Sequence, residues 1–104
     1  MGKIIGDDGV IDMRCVYLME ILGENARQKF GIAGDVIKRR QQMQVGCPHK
    51  IHIVCQTAPL GVHLARLLEK SLIHEYRRFR VTGEWFDLPM GDMVDIVMKF
   101  KGEL

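Results

Sequence analysis

The chain has 104 residues, 47% of them apolar and 27% charged, which bounds it to one globular domain with a modest core and excludes disordered or fibrous classes. Its net charge of +2 supplies no strongly basic field, so a polyanionic partner would have to be met by local clusters. No apolar stretch approaches the roughly 18 residues of a membrane span, and the three cysteines, an odd number set partly in apolar runs, suit reduced thiols and a cytoplasmic setting with no membrane partner.

Residues 1–12 form a polar, Gly/Asp-rich arm, in which Asp7-Asp8-Gly9 signals a turn or short hairpin. The run RCVYLMEI over 14–21 predicts a buried strand, Gly23-Glu24-Asn25 a turn, and ARQKFGIA over 26–33 its antiparallel partner. Gly34-Asp35 breaks that strand and offers an Asp N-cap to a helix over 36–44, which Gly46-Cys47-Pro48 ends. KIHIVCQ over 50–56 alternates and predicts a third strand. Pro59 opens the longest helix, through Phe79, with an inward stripe of Leu60, Leu64, Leu67, Leu68, Leu72 and Tyr76. Thr82-Gly83 turns the chain into a short aromatic segment, Glu84-Trp85-Phe86, whose two rings are expected to fold back over the open end of the core, and a last helix spans about 89–101. The fold class is therefore α+β: a small three-stranded antiparallel sheet flanked by helices, in the order β-β-α-β-α-α, as a single domain over 1–104 with its core at 14–88.

Several side chains could carry chemistry. Basic residues cluster at Lys38, Arg39, Arg40 and at Arg77, Arg78, Arg80, which suits either nucleic-acid contact or a solvated helix face. Glu69 shares a helix face with Ala65, Leu72 and Tyr76, at the core boundary. A carboxylate there needs a partner, whether a metal ion, a basic side chain or solvent. Tyr17 stands mid-strand in an otherwise aliphatic run, as a core aromatic or a placed hydroxyl. Arg39 either pairs with Asp35 one turn earlier or is free for a phosphate. Cys47, His49, His52 and Cys55 have the look of a zinc set, but strand residues three apart face opposite sides, so His52 and Cys55 should not share an ion. His63 and His74 default to the surface.

A strand with central Tyr (CVY, 15–17), then KFGIA (29–33), KRR (38–40), ARLLEK (65–70) and GEWF (83–86) stand in one order across 14–88. Together they resemble the GIY-YIG nuclease superfamily, and within it the phage-T5-type branch also seen in fungal meiotically up-regulated proteins. The resemblance implies a metal-dependent DNA endonuclease that hydrolyses phosphodiester bonds with Mg²⁺ or another divalent cation. Glu69 would bind the cation, Tyr17 would position or deprotonate the attacking water, and Arg39 would hold the scissile phosphate. Lys29, Lys38 and Arg40 would track the DNA backbone. The three catalytic side chains would line one cleft.

The sequence also departs from the pattern: Lys29 stands where the second signature Tyr belongs, and Met43 and Ile73 replace frequent Tyr or His positions. Two alternatives stay open: a catalytically inactive module of this kind that binds nucleic acid or a protein partner, itself included, and an interaction subunit using its seven methionines as an adaptable apolar contact.

Overall fold

A computed structural model of the chain describes residues 12–102; the turn expected at Asp7-Asp8-Gly9 lies outside them. Strand β1 (Met13–Ile21) is the centre of the sheet and carries five consecutive buried residues, Cys15 to Met19. A strand covered on both faces reads as a continuous apolar run rather than as an alternation. Strand β2 (Arg27–Ala33) pairs antiparallel along one edge of β1, from Cys15 opposite Ala33 to Ile21 opposite Arg27.

Helix α1 (Val36–Gln44) starts as its sequence specifies: the Asp35 carboxylate accepts the Lys38 N–H at 3.0 Å. Gly46, at φ +76°, then takes the left-handed turn that releases the chain, a conformation favouring glycine. Strand β3 (Ile51–Gln56) pairs with the other edge of β1, and a bulge between Leu18 and Met19 shifts its register. Just past it, Thr57 extends the pairing: its hydroxyl accepts the Val16 N–H at 3.0 Å, and its own N–H donates to Val16 O.

The expected long helix is shorter than its apolar stripe. Leu60–Gly61 form strand β4, which pairs with Met13 and Arg14. Helix α2 (Val62–Glu75) follows, and the remainder of the stripe is the 3-10 turn Arg77–Phe79. Strands β5 (Arg80–Thr82) and β6 (Trp85–Phe86) then make a hairpin whose turn includes Gly83 at φ +53°, and helix α3 (Met90–Phe100) completes the described chain.

The sheet therefore has six strands, in the order β3-β1-β2-β6-β5 with β4 on β1, where the sequence predicted three. The extra strands are two or three residues long. Periodicity needs more residues than that to register, and such strands exist only because a partner edge is present. The α+β class with three helices around an antiparallel sheet stands as expected. No described helix is long and apolar enough to cross a membrane.

The sheet divides the core into two layers. Cys15, Tyr17, Met19, Ala33 and Ile51 pack with Val36 of α1 on one face. Val16, Leu18 and Phe30 pack with Ala65, Leu72 and Tyr76 of α2 and its cap, and with Met93 and Ile96 of α3, on the other. Phe30 sits in the middle of that second layer, stacked on Tyr76 at 6.1 Å and edge-on to Phe86 at 5.5 Å. Gln28 is the buried polar group of this layer. Its amide donates to Glu20 Oε2 at 2.8 Å, and its carbonyl oxygen accepts the Leu88 N–H at 2.7 Å, which ties β2 to the approach of α3.

Phe86 is 2% exposed and closes this layer, as expected of GEWF; Trp85, on the next residue, points to the opposite face and is only half-buried. Phe86→Ala is expected to cost about 3–5 kcal/mol, a large share of the roughly 5–15 kcal/mol available to a small domain. Chemical denaturation should show it; a loss under about 1 kcal/mol would mean the ring is dispensable to the core.

Candidate functional site

Tyr17 and Gly31 face each other across β1 and β2. The phenol lies flat over the glycine: a Cβ built on Gly31 would sit 2.3 Å from both Tyr17 Cζ and the hydroxyl oxygen. A strand glycine weakens pairing, so its use here has a steric reason, the ring that occupies the side-chain volume. Tyr17 is 1% exposed, its ring among Cys15, Met19 and Val36, and its hydroxyl makes no hydrogen bond to a described residue. Tyr17 is thus a core aromatic whose polar tip is carried from the central strand onto the neighbouring one.

Helix α1 lies on the same face. Val36 is buried and Met43 packs against the same cluster, so the half-buried Arg39 and Arg40 flank the row that faces the sheet, while Lys38 is exposed. Asp35 spends its carboxylate on the helix cap, and no ion pair joins it to Arg39 among the described residues. The Arg39 guanidinium is therefore not the partner of Asp35 that spacing alone allows.

Lys29 is two residues before Gly31 on the same face of β2, opposite Met19. Its ammonium lies 3.4 Å from Glu84 Oε1 and 5.8 Å from the centre of the Trp85 ring. Hairpin residues Glu84 and Trp85 thus join Lys29, a pairing the sequence reading missed because it assigned both GEWF rings to core cover. Arg27 repeats the pattern one step along the strand, 3.9 Å from Asp87.

Glu69 comes from α2, which packs on the other face of the sheet. It is half-buried, and burial first, then the neighbouring Glu84, raises its carboxyl above the ordinary value, while Lys29 partly offsets both. Lys29 is therefore the link: rooted on the Tyr17 face, its charge reaches Glu69. The structure gathers Lys29, Glu69, Glu84 and Trp85 at one part of the β2 margin, and Tyr17, Gly31 and α1 on one face. The single cleft expected of Tyr17, Arg39 and Glu69 is therefore corrected: Tyr17 and α1 lie on one face of the sheet, and α2, which carries Glu69, packs on the other.

The zinc argument changes on structural grounds. The bulge in β3 sets His52 opposite Glu20 and Cys55 opposite Leu18, so the two share a face after all. Even so, His52 is engaged by Glu20 at 3.5 Å, Cys55 is held as a thiol with its pKa pushed up to about 11 by burial, and Cys47 Sγ donates to the His49 carbonyl. Among the described residues no three His, Cys, Asp or Glu side chains converge as a metal cluster. A magnesium ion asks less, because it is commonly held by one or two carboxylates with water and substrate phosphate. Glu69, with Glu84 in its field, fits that donor set. A cavity of about 530 Å³ lies elsewhere, between α2 and α3, lined by Tyr76, Phe79, Asp92, Asp95 and others and by none of the expected site residues.

Comparison with protein-family models, with curated proteins and with solved structures finds no match.

The steric claim is testable by a double-mutant cycle. Where space exists, Gly→Ala in a strand stabilises slightly. Here Gly31→Ala should cost about 1–3 kcal/mol, and pairing it with Tyr17→Leu should recover about 0.5–3 kcal/mol relative to the sum. Strict additivity in urea denaturation would show that the two residues do not compete for volume.

A second test concerns Glu69. Because burial holds its carboxyl above the ordinary 4.5, the folded chain takes up that proton before the unfolded chain does as pH falls. The ionised carboxylate therefore opposes folding at neutral pH, and the penalty is gone below about pH 4.5. In chelator, Glu69→Gln should raise the melting temperature at pH 7 and barely change it at pH 4. An equal gain at both values would locate the effect in packing rather than charge.

Proposed function

We propose that this chain is a metal-dependent DNA endonuclease of the GIY-YIG kind, hydrolysing phosphodiester bonds at the β2 margin. One observation carries the reading: Tyr17 and Gly31, which match the Tyr of the first and the Gly of the second half of the family's signature, are in direct contact, with the hydroxyl lying over the glycine. The glycine leaves room for the ring to carry its hydroxyl across β2.

Each side chain has a task its chemistry suits. Tyr17 orients water and accepts or relays a proton at its hydroxyl. Arg39, on the same face and unpaired with Asp35, grips the scissile phosphate with its planar fork and offsets charge as the phosphate becomes pentacoordinate. Glu69 would hold the divalent cation, Mg²⁺ by donor type, which when bound acidifies water and stabilises anionic oxygen. Half-buried Glu69 and its neighbour Glu84 set two carboxylates against the one ammonium of Lys29, which favours taking up a cation that lowers the raised pKa. Lys38 and Arg40 hold the backbone on either side.

A specific observation favours a second reading, a catalytically inactive module that binds nucleic acid or a protein partner. Lys29, in the place of the second signature Tyr, is committed to Glu84 and Trp85, and Tyr17 and Glu69 are rooted in opposite layers. Substrate would then contact Arg39 and Arg40 with no chemistry following.

Plasmid nicking with Mg²⁺ or Mn²⁺, against chelator, separates the two. Under the first reading Glu69→Gln lowers nicking by orders of magnitude while DNA affinity holds or rises, because a negative charge near the phosphates is gone. Arg39→Ala weakens binding to every sequence and lowers the salt dependence by about one phosphate contact. Wild-type protein that binds DNA yet never nicks it, in any divalent metal, would leave only the second reading.

A further inference from the structure

The outer face of α2 carries a charged row that the proposed site does not use. His63, Arg66, Lys70, His74 and Arg77 are all exposed. Within α2 the spacings of three and four residues place His63, Arg66, Lys70 and His74 within an arc of about 80°, in a row about 17 Å long at about 100° and 1.5 Å per residue, and Arg77 follows in the 3-10 turn just after the helix. The arc is opposite Ala65 and Leu72, the buried residues that seat the helix on the sheet. Arg77 is held at its end, with Nη1 donating to the His74 carbonyl at 2.7 Å and 3.2 Å from His74 Nε2.

The row is of one sign. The two acids of α2 lie off it: Glu75 pairs with Lys99 at 2.7 Å, and Glu69 lies in the field of Lys29 and Glu84; from outside the helix Asp12 lies in the field of Arg66 but is itself paired with Arg14 at 2.8 Å. An ordinary solvated helix face alternates acids and bases four apart, which supports the helix, whereas Arg66 and Lys70 at that spacing repel. Arg66 and Lys70 therefore gain nothing from pairing along the helix, and the row complements a partner of uniform negative charge.

We infer that this row is a second nucleic-acid contact, a track for the phosphate backbone of duplex DNA away from the cleavage site. The inference rests on the DNA reading above and extends it from the β2 margin to α2. Duplex DNA carries one charge per about 1.7 Å of axis, so a row of this length runs along about ten phosphate charges on the two strands together, and its three permanent cations, Arg66, Lys70 and Arg77, can each neutralise one. An anionic membrane suits the helix less well. Its main apolar face is already spent in the core, leaving only Leu64 and Leu67 beside the row to enter a bilayer surface.

The test is equilibrium binding of a duplex of about 30 base pairs across a salt series, in chelator so that nothing is cut. The proteins compared are wild type, Arg66→Gln/Lys70→Gln/Arg77→Gln, and the control Lys50→Gln/Lys101→Gln, which removes two exposed charges elsewhere. Gln is a good helix former, and circular dichroism checks that α2 persists. The triple variant should lose nearly three units of salt slope, at about 0.9 per contact, and bind roughly a hundredfold or more weaker at 0.1 M salt. The control should keep the wild-type slope.

An unchanged slope in the triple variant overturns the track even if wild type nicks plasmids through Glu69, which leaves the nuclease reading intact. Loss of slope in a protein that never nicks supports the track and removes only the cleavage reading. Wild type that fails to bind duplex overturns the track, and binding to phosphatidylserine vesicles that the triple variant loses assigns the row to a membrane surface instead.

Discussion

A central strand buried on both faces imposes the arrangement of everything else in this molecule. Five consecutive residues of β1 are out of water, so each face must be roofed by a helix layer and each edge must be paired. Strands β2 and β3 pair most of its length, and Leu60–Gly61 pair Met13 and Arg14 at its start. Helix α1 roofs the side bearing Cys15, Tyr17 and Met19, and α2 and α3 roof the side bearing Val16 and Leu18. In a domain this small such double coverage uses nearly every described element.

That constraint explains why polar groups gather at the β2 margin. The Tyr17 ring crosses from this buried strand to its neighbour over the one β2 residue with no side chain to block it. The next strand outward, β6, pairs with β2 at Gln28, and its turn brings Glu84 and Trp85 to Lys29. Glu69 then meets this cluster from the opposite layer, where partial burial and a like charge hold its carboxyl above the usual range. Electrostatics at this margin is therefore a balance of two carboxylates against one ammonium. A bound cation would tip that balance toward ionised carboxylates, and a mobile counter-ion in solvent would do so weakly.

Wherever a signal is local, the sequence reading matches the structure closely. Asp35 caps α1 because a short acceptor before an apolar-periodic run satisfies an orphan N–H whatever surrounds it. The apolar run around Tyr17 and the alternation of 51–56 marked two strands for the same reason, since coverage on two faces or one leaves its own pattern. The stripe from Leu60 to Tyr76 overran its helix at both ends, because apolar spacing records which residues face the core and not which backbone shape brings them there. Leu60 serves the core from a strand and Phe79 from a 3-10 turn.

Residue chemistry alone nominated candidate side chains: a tyrosine in an aliphatic strand, an arginine one turn past a cap, a carboxylate at a helix's core boundary. What they face was decided only in three dimensions. One bulge in β3 reverses the expected sides of His52 and Cys55, and a two-residue β6 sends Phe86 into the core while Trp85 goes to Lys29. The near approach of Glu69 to Lys29 joins positions 40 residues apart from two layers. Sequence determines the inventory because propensity and capping act over a few residues. Placement depends on strand register and edge pairing between distant segments, where a shift of one residue turns every side chain to the other face.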